Sequence, residues 1–361
     1  MNTRNVLLFF SLILLGASIT YLYLKINSVD KYANENRQQT FIVKGSIPYW
    51  DQENAFVSFK KHPEVFSYIN LFWYFIDEKG GLHTYDDANE DKRILKFAQD
   101  HNVKTQMVVT NLPQDEGTTW DSKRVEYILH DKNARNKEIQ QIIAKAENLG
   151  FDGVIIDYES VNSSQKSLFS NYINELAEKL HNHNLFLAIA LHPKTRDDDD
   201  PGSYQDWAEL AKHADQLQIM AYGQHWDEGP AGPIASVPWI EKIIQYALSK
   251  NIPREKLFLG MPLYGYSWQK NNHDSAKGLT FSDVTNLLKN NSAVSQWDGR
   301  AQSHYLLYTN NGDRFEVWYE DAESIKAKLA LAEKYQIQGI TFWHLGEEDE
   351  TIWNLFTSPR R

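Results

Sequence analysis

Beyond residue 40, short and strongly apolar runs alternate with longer stretches in which apolar residues return every three or four positions. The short runs at 41–49, 68–76, 105–110, 153–159, 185–191, 216–222, 257–263 and 339–343 read as eight strands. Several are continuously apolar, as parallel strands buried on both faces are. The helical pattern falls between them, at 136–149, 165–183, 205–213, 238–250 and 322–335, and Gly150 stands where the first of these should stop. Eight strand–helix units in succession predict an α/β fold, a closed (β/α)8 TIM barrel. A glycine-rich phosphate turn after the first strand would have favoured an open doubly wound sheet, and the sequence has none there.

Between strands seven and eight the gap exceeds one helix. It holds alternating runs at 304–308 and 315–318, joined by Asn310-Asn311-Gly312-Asp313, and Asn-Gly between such runs signals a hairpin. A small α+β insertion at about 265–319, standing on the barrel rim as one wall of a cleft, is expected. The barrel with its insertion is expected to occupy 41–358.

The opening of the chain follows a different pattern. No charge occurs between Arg4 and Lys25, and residues 6–24 form an apolar run. A spanning helix needs about 17–25 residues, whereas a signal-peptide core has about 7–15. Residues 1–25 therefore read as a membrane anchor, with cleavage near Gly16-Ala17-Ser18 as the alternative, and 26–40 as a polar linker. Either way the remainder is expected outside the cytoplasm, anchored in the cell envelope or secreted. The net charge of −11 argues against a nucleic-acid partner. The absence of cysteine excludes disulfides, thiolate metal sites and cysteine nucleophiles. The 13% aromatic share, with 11 Trp and 19 Tyr, fits either a large core or a sugar-stacking groove.

Candidate chemistry gathers on the fourth strand. Alternation puts Ile155, Asp157 and Glu159 on one face, turned into the barrel, and Val154, Ile156 and Tyr158 on the other, toward the helices. Two neighbouring carboxylates cannot both ionise cheaply, so one keeps its proton to higher pH and suits a general acid. Spacing alone leaves open a strand-end pair that merely makes caps and ion pairs.

The run Asp152-Gly153-Val154-Ile155-Ile156-Asp157-Tyr158-Glu159 resembles the D-G-x-D-x-D-x-E signature of glycoside hydrolase family 18, the chitinase-like family. The likeness continues through Phe72-Trp73-Tyr74, His192-Pro193-Lys194-Thr195, Met220-Ala221-Tyr222 with His225-Trp226, the Gly229–Pro233 turn, Gly260-Met261-Pro262-Leu263-Tyr264-Gly265 and Gly339-Ile340-Thr341-Phe342-Trp343. It is nearest to the bacterial branch of spore-cortex-lytic N-acetylglucosaminidases. Two positions depart from the pattern: the middle aspartate is Ile155, and the aspartate that usually follows the sixth-strand tyrosine is Gly223.

The resemblance implies retaining, substrate-assisted hydrolysis of β-1,4-linked N-acetylhexosamine glycans, peptidoglycan or chitin-like, a known exception to the two-carboxylate scheme. Glu159 would be the proton donor, Asp157 would orient the substrate acetamido N–H, and Tyr222 would hydrogen-bond the acetamido oxygen. Trp343 would form the floor of the groove. Tyr49, Trp73, Tyr74, Met220, His225, Trp226 and Tyr264 are expected to line it. No metal and no cofactor are implied. The acidic run Asp197–Asp200 reads as a solvated loop before a Ca²⁺ site. The alternative function is a non-catalytic, lectin-like glycan-binding barrel; Glu159, the position such relatives lose, is present.

Overall fold

The computed structural model describes residues 41–114, 119–270, 276–290 and 293–357, and the apolar run expected to anchor the chain lies outside them. Eight parallel strands form the barrel: β1 (Ile42–Pro48), β2 (Tyr68–Ile76), β3 (Lys104–Thr110), β4 (Gly153–Asp157), β5 (Phe186–Leu191), β6 (Gln216–Ile219), β7 (Leu257–Pro262) and β8 (Gly339–Trp343). Each pairs with its neighbour in sequence, and β1 pairs with both β8 and β2, which closes the sheet. Among the described residues no helix is long and apolar enough to cross a membrane.

The inward side chains stack in layers, and the lowest is polar. Lys44 is wholly buried there, with its ammonium on Gln106 Oε1 at 3.0 Å, on Gln216 Oε1, and 4.0 Å from the centre of the Phe258 ring. Burial pushes this lysine well below its ordinary pKa. Two amide oxygens and an aromatic face replace the water that the ammonium gave up. In the next layer Asn70 Nδ2 donates to Ser46 Oγ at 3.2 Å and Thr341 Oγ1 at 3.1 Å. This cross-barrel polar packing leaves the upper layer free for a site.

Several ends differ from the sequence reading, for local reasons. Helix Lys132–Leu149 begins four residues before the expected 136, because Asp131 accepts from the Asn133 and Ala134 N–H groups as its cap. Gly150, in the left-handed region at φ 72°, ends it as expected. The fourth strand stops at Asp157 and the sixth at Ile219, short of Glu159 and Tyr222.

Among the described residues the insertion is a five-stranded antiparallel sheet with one helix, Phe281–Asn290. Its central hairpin pairs Ser303–Asn310 with Asp313–Tyr319 through Asn311 and Gly312, both at positive φ, the turn that Asn-Gly favours. Leu279, Val284, Leu306, Val317 and Tyr319 form its own small core.

Candidate active site

At the upper end of the barrel a cavity of about 210 Å³ is lined by Asp157, Glu159, Met220, Tyr222 and Trp343, together with Trp50, Phe72, Trp120 and the polar layer below. Asp157 and Glu159 both face it, while Tyr158 between them points outward. The Tyr158 hydroxyl donates to Glu138 Oε1 at 2.6 Å, beside Tyr172, which donates to the same oxygen at 2.7 Å. This outward anchor fixes the alternation that turns the two carboxylates inward.

Glu159 lies past the end of β4, yet its backbone is held. Asn111 accepts from the Glu159 N–H at 2.8 Å and donates to its carbonyl at 2.9 Å, taking the place of the strand ladder. On the other side the Tyr204 hydroxyl donates to the Tyr158 carbonyl. Ser160 then turns the chain away at φ 58°. A backbone so clamped fixes the point from which the Glu159 side chain enters the cavity.

The electrostatics follow from burial. Asp157 is 9% exposed and its Oδ1 has no hydrogen-bond partner; burial raises its pKa above the usual carboxylate range. Glu159 is raised well above that range, first by burial and then by the charge of Asp157. Tyr222 stays a neutral phenol, raised by burial and then by both carboxylates. The pair thus holds a proton where an exposed carboxyl would have lost it, which is the state a general acid needs. His192 Nε2 lies 3.3 Å from Glu159 Oε2.

Tyr222 needs space as well as neutrality. A Cβ on Gly260 of β7 would stand 2.8 Å from its ring and 2.6 Å from the Ile219 carbonyl, so glycine there makes room for the phenol. Gly223, where the resemblance expects an aspartate, has φ 87° and open space around it.

The structure brings Asp157, Glu159, Met220, Tyr222 and Trp343 to one cavity and distributes the other expected residues elsewhere. Trp73 and Tyr74 are fully buried outside it. A bulge in β2 pairs Phe72 with Val108 and Tyr74 with Val109, leaving Trp73 as the extra residue and Phe72 as the ring that faces the cavity. Trp73 packs on Phe151, and the Tyr74 hydroxyl donates to Glu90 at 3.2 Å. Tyr49 stacks on Tyr85 at 4.0 Å and lines an adjoining trough of about 590 Å³ instead. His225 braces the loop beyond β6, its Nδ1 2.8 Å from the Pro230 carbonyl, and Trp226 packs on Gly229, half exposed. Tyr264 sits edge-on to Tyr266 at the root of the insertion, near Tyr222 but not on the cavity wall.

Sequence reasoning missed Trp50, Phe72, Trp120 and Asn111. Trp50 joins the cavity to the trough and meets Trp343 edge-on at 6.0 Å. Its signal was its place beside Tyr49, directly after the first strand. Phe72 shares alternation with Asn70, which parity would have shown had the Phe72-Trp73-Tyr74 run not been read as one unit.

The acidic loop is engaged in its own structure. Asp199 accepts from Thr195 N–H and Oγ1, at 2.7 and 2.9 Å, and Asp197 pairs with Lys250. Among the described residues no group of three histidines or carboxylates is placed to hold a metal ion.

The family described as glycosyl hydrolases family 18 matches residues 23–348. The chain belongs to that family and is a glycoside hydrolase. Among its relatives is the uncharacterized glycosylase YvbX of Bacillus subtilis, 28% identical over 72% of this chain and 76% of the relative. The cortical fragment-lytic enzyme of Bacillus anthracis is 26% identical over 80% of this chain and 67% of that protein. Among the solved structures that share the fold are the Bacillus cereus spore cortex-lytic enzyme SleL and a chitinase from Chromobacterium violaceum. The first has a TM-score of 0.80 at 24% identity, over 88% of this chain and 73% of that one. The second has a TM-score of 0.80 at 24% identity, over 89% and 100%.

Proposed function

We propose that this hydrolase cuts β-1,4-linked N-acetylhexosamine glycans, with peptidoglycan as substrate, by substrate-assisted retention. The observation that carries the reading is the single cavity holding two inward carboxylates, a neutral Tyr222 and the Trp343 ring, with Glu159 kept protonated by its surroundings. Glu159 protonates the glycosidic oxygen. The substrate acetamido oxygen attacks C1, displacing the leaving sugar and forming an oxazolinium ring. Asp157 accepts the acetamido N–H, Tyr222 donates to its oxygen, and Trp343 stacks beneath the sugar. The Glu159 carboxylate then takes a proton from the water that attacks C1. The cortex-lytic relatives favour peptidoglycan over chitin.

The test is mass spectrometry of products from purified peptidoglycan and from chitin oligosaccharides, with NMR of the first-formed anomer. Peptidoglycan fragments released as the β-anomer are expected. First-formed α-anomer would mean inversion and would end the substrate-assisted scheme. Binding without turnover of any N-acetylated glycan would favour the lectin-like reading, for which Ile155 behind Asp157 is the motivating feature.

We also read residues 6–24 as a membrane anchor that leaves the barrel in the cell envelope, on the strength of their length and lack of charge. Full-length protein should then stay with membranes through a carbonate wash, and a mature N-terminus near Ser18 would show a cleaved signal instead.

A further inference from the structure

On the β5 side of the cavity one buried polar atom has no partner. His192, just past β5, is 6% exposed, and its Nε2 is without a hydrogen bond, 3.3 Å from Glu159 Oε2. A single short segment sets both groups. In the Gly202–Tyr204 turn the Tyr204 hydroxyl holds the Tyr158 carbonyl, next to Glu159, and the following Gln205 accepts from the His192 backbone N–H at 2.8 Å. The His192 ring lies edge-on to Tyr204, centroids 6.1 Å apart, and a Cβ on Gly202 would touch the His192 side chain at 3.0 Å. The imidazole is therefore built into place against the carboxyl.

We propose that His192 is a positioning residue for Glu159: its Nε2–H takes Glu159 Oε2, so that the acid's proton sits on Oε1 and faces the glycan. The inference rests on Glu159 being the acid of the proposed reaction. Catalytic hydrogen bonds are often long before substrate binds, and 3.3 Å is within the reach of a small closure.

The groups facing this pair agree with the assignment. Around Glu159 stand Asp157 at the end of β4, Tyr222 beyond β6 and Tyr204 from the turn; Lys194 faces His192. Burial, then the Lys194 charge, holds His192 down at about 4, so the ring is neutral at working pH and carries one N–H. Once Glu159 has given up its proton, a second charge appears beside Asp157 in a buried site. With Ile155 behind Asp157 there is no carboxylate there to share that charge. An N–H on Oε2 favours the ionised form of Glu159 and lowers its pKa.

The experiment compares full-length wild type, H192L and H192Q. It reads kcat and KM against pH on peptidoglycan, and the carboxyl titration of Glu159 by ¹³C NMR, its resonance assigned with E159Q. In H192L, kcat should fall about 10- to 100-fold, the scale of a lost hydrogen bond to a charged group, with KM within about twofold. The alkaline limb and the Glu159 midpoint should both move to higher pH. Gln, whose amide reaches the same place, should restore most of both. An unmoved Glu159 midpoint in folded H192L, or a kcat loss with an unaltered pH profile, overturns the proposal. A wild type without turnover would end the reading of Glu159 as acid, while the carboxyl titration would still decide whether His192 holds it.

Discussion

Glu159→Gln is expected to lower kcat/KM on peptidoglycan by at least about 10²-fold, the scale of a lost general acid. The amide fills the same volume and Asn111 holds the backbone rather than the side chain, so the fold should be kept. Asp157→Asn should cost a similar factor, through the lost electrostatic partner of the acetamido group. The two losses should not add, because both act on one transition state. Their pH signatures differ. Glu159 works as an acid while protonated, so activity is retained below its raised pKa and is lost as pH rises through it. The charge of Asp157 is the second cause of that elevation, so removing it should shift the alkaline limb to lower pH, opposite to the shift expected of H192L. Circular dichroism would establish that each variant is folded. Folded Glu159→Gln with near-normal turnover would remove this residue from the chemistry.

The barrel strands were legible because they are buried on both faces, and the continuous apolar runs that several of them form between helical periods fit a buried parallel strand better than any surface element. Strand ends were less legible, since side chains decide them. Nothing in residues 153–159 announces that Asn111, 48 positions away from Glu159, completes the backbone of the last residue. The early start of helix Lys132–Leu149 was signalled by Asp131, a capping residue that the apolar count passed over. Lys44 is the opposite case, a charged residue in a core strand whose partners, Gln106 and Gln216, come together only when the barrel closes.

The site divides along the same line. Strand parity was enough to turn Asp157 and Glu159 inward. Parity fails at a bulge, and the β2 bulge carries Trp73 and Tyr74 outward while Phe72 takes the cavity. Loop residues have no parity at all. His225 and Trp226 were assigned to the groove through their place in a motif, but the turn around Gly229 and Gly232 folds their rings onto the loop itself. Conversely, Trp50 is half exposed after β1 and serves both the cavity and the trough, a position set by the packing of the barrel mouth.

Glycans lacking the N-acetyl group on the sugar to be cleaved should bind and remain uncut. Among the described residues lining the cavity, Asp157 and Glu159 are the only carboxylates. If Glu159 is spent as the acid, a protein nucleophile would have to be Asp157, which sits deep beside the polar layer with Oδ1 unpartnered and its pKa raised. The proposed reaction already uses Asp157 as the acceptor of the acetamido N–H, whereas a substrate amide oxygen oriented by Asp157 and Tyr222 is already within the molecule it attacks. Well-oriented intramolecular groups act at effective molarities of about 10⁵ M or more, so kcat should fall at least about 10³-fold when the acetyl group is removed. Affinity should change far less, because the ring still stacks on Trp343. A thiazoline analogue of the oxazolinium should inhibit, since it carries the geometry of the intermediate. Comparable turnover of the de-N-acetylated glycan, together with a covalent adduct on Asp157, would transfer the nucleophile's role to the protein and leave Tyr222 without its proposed partner.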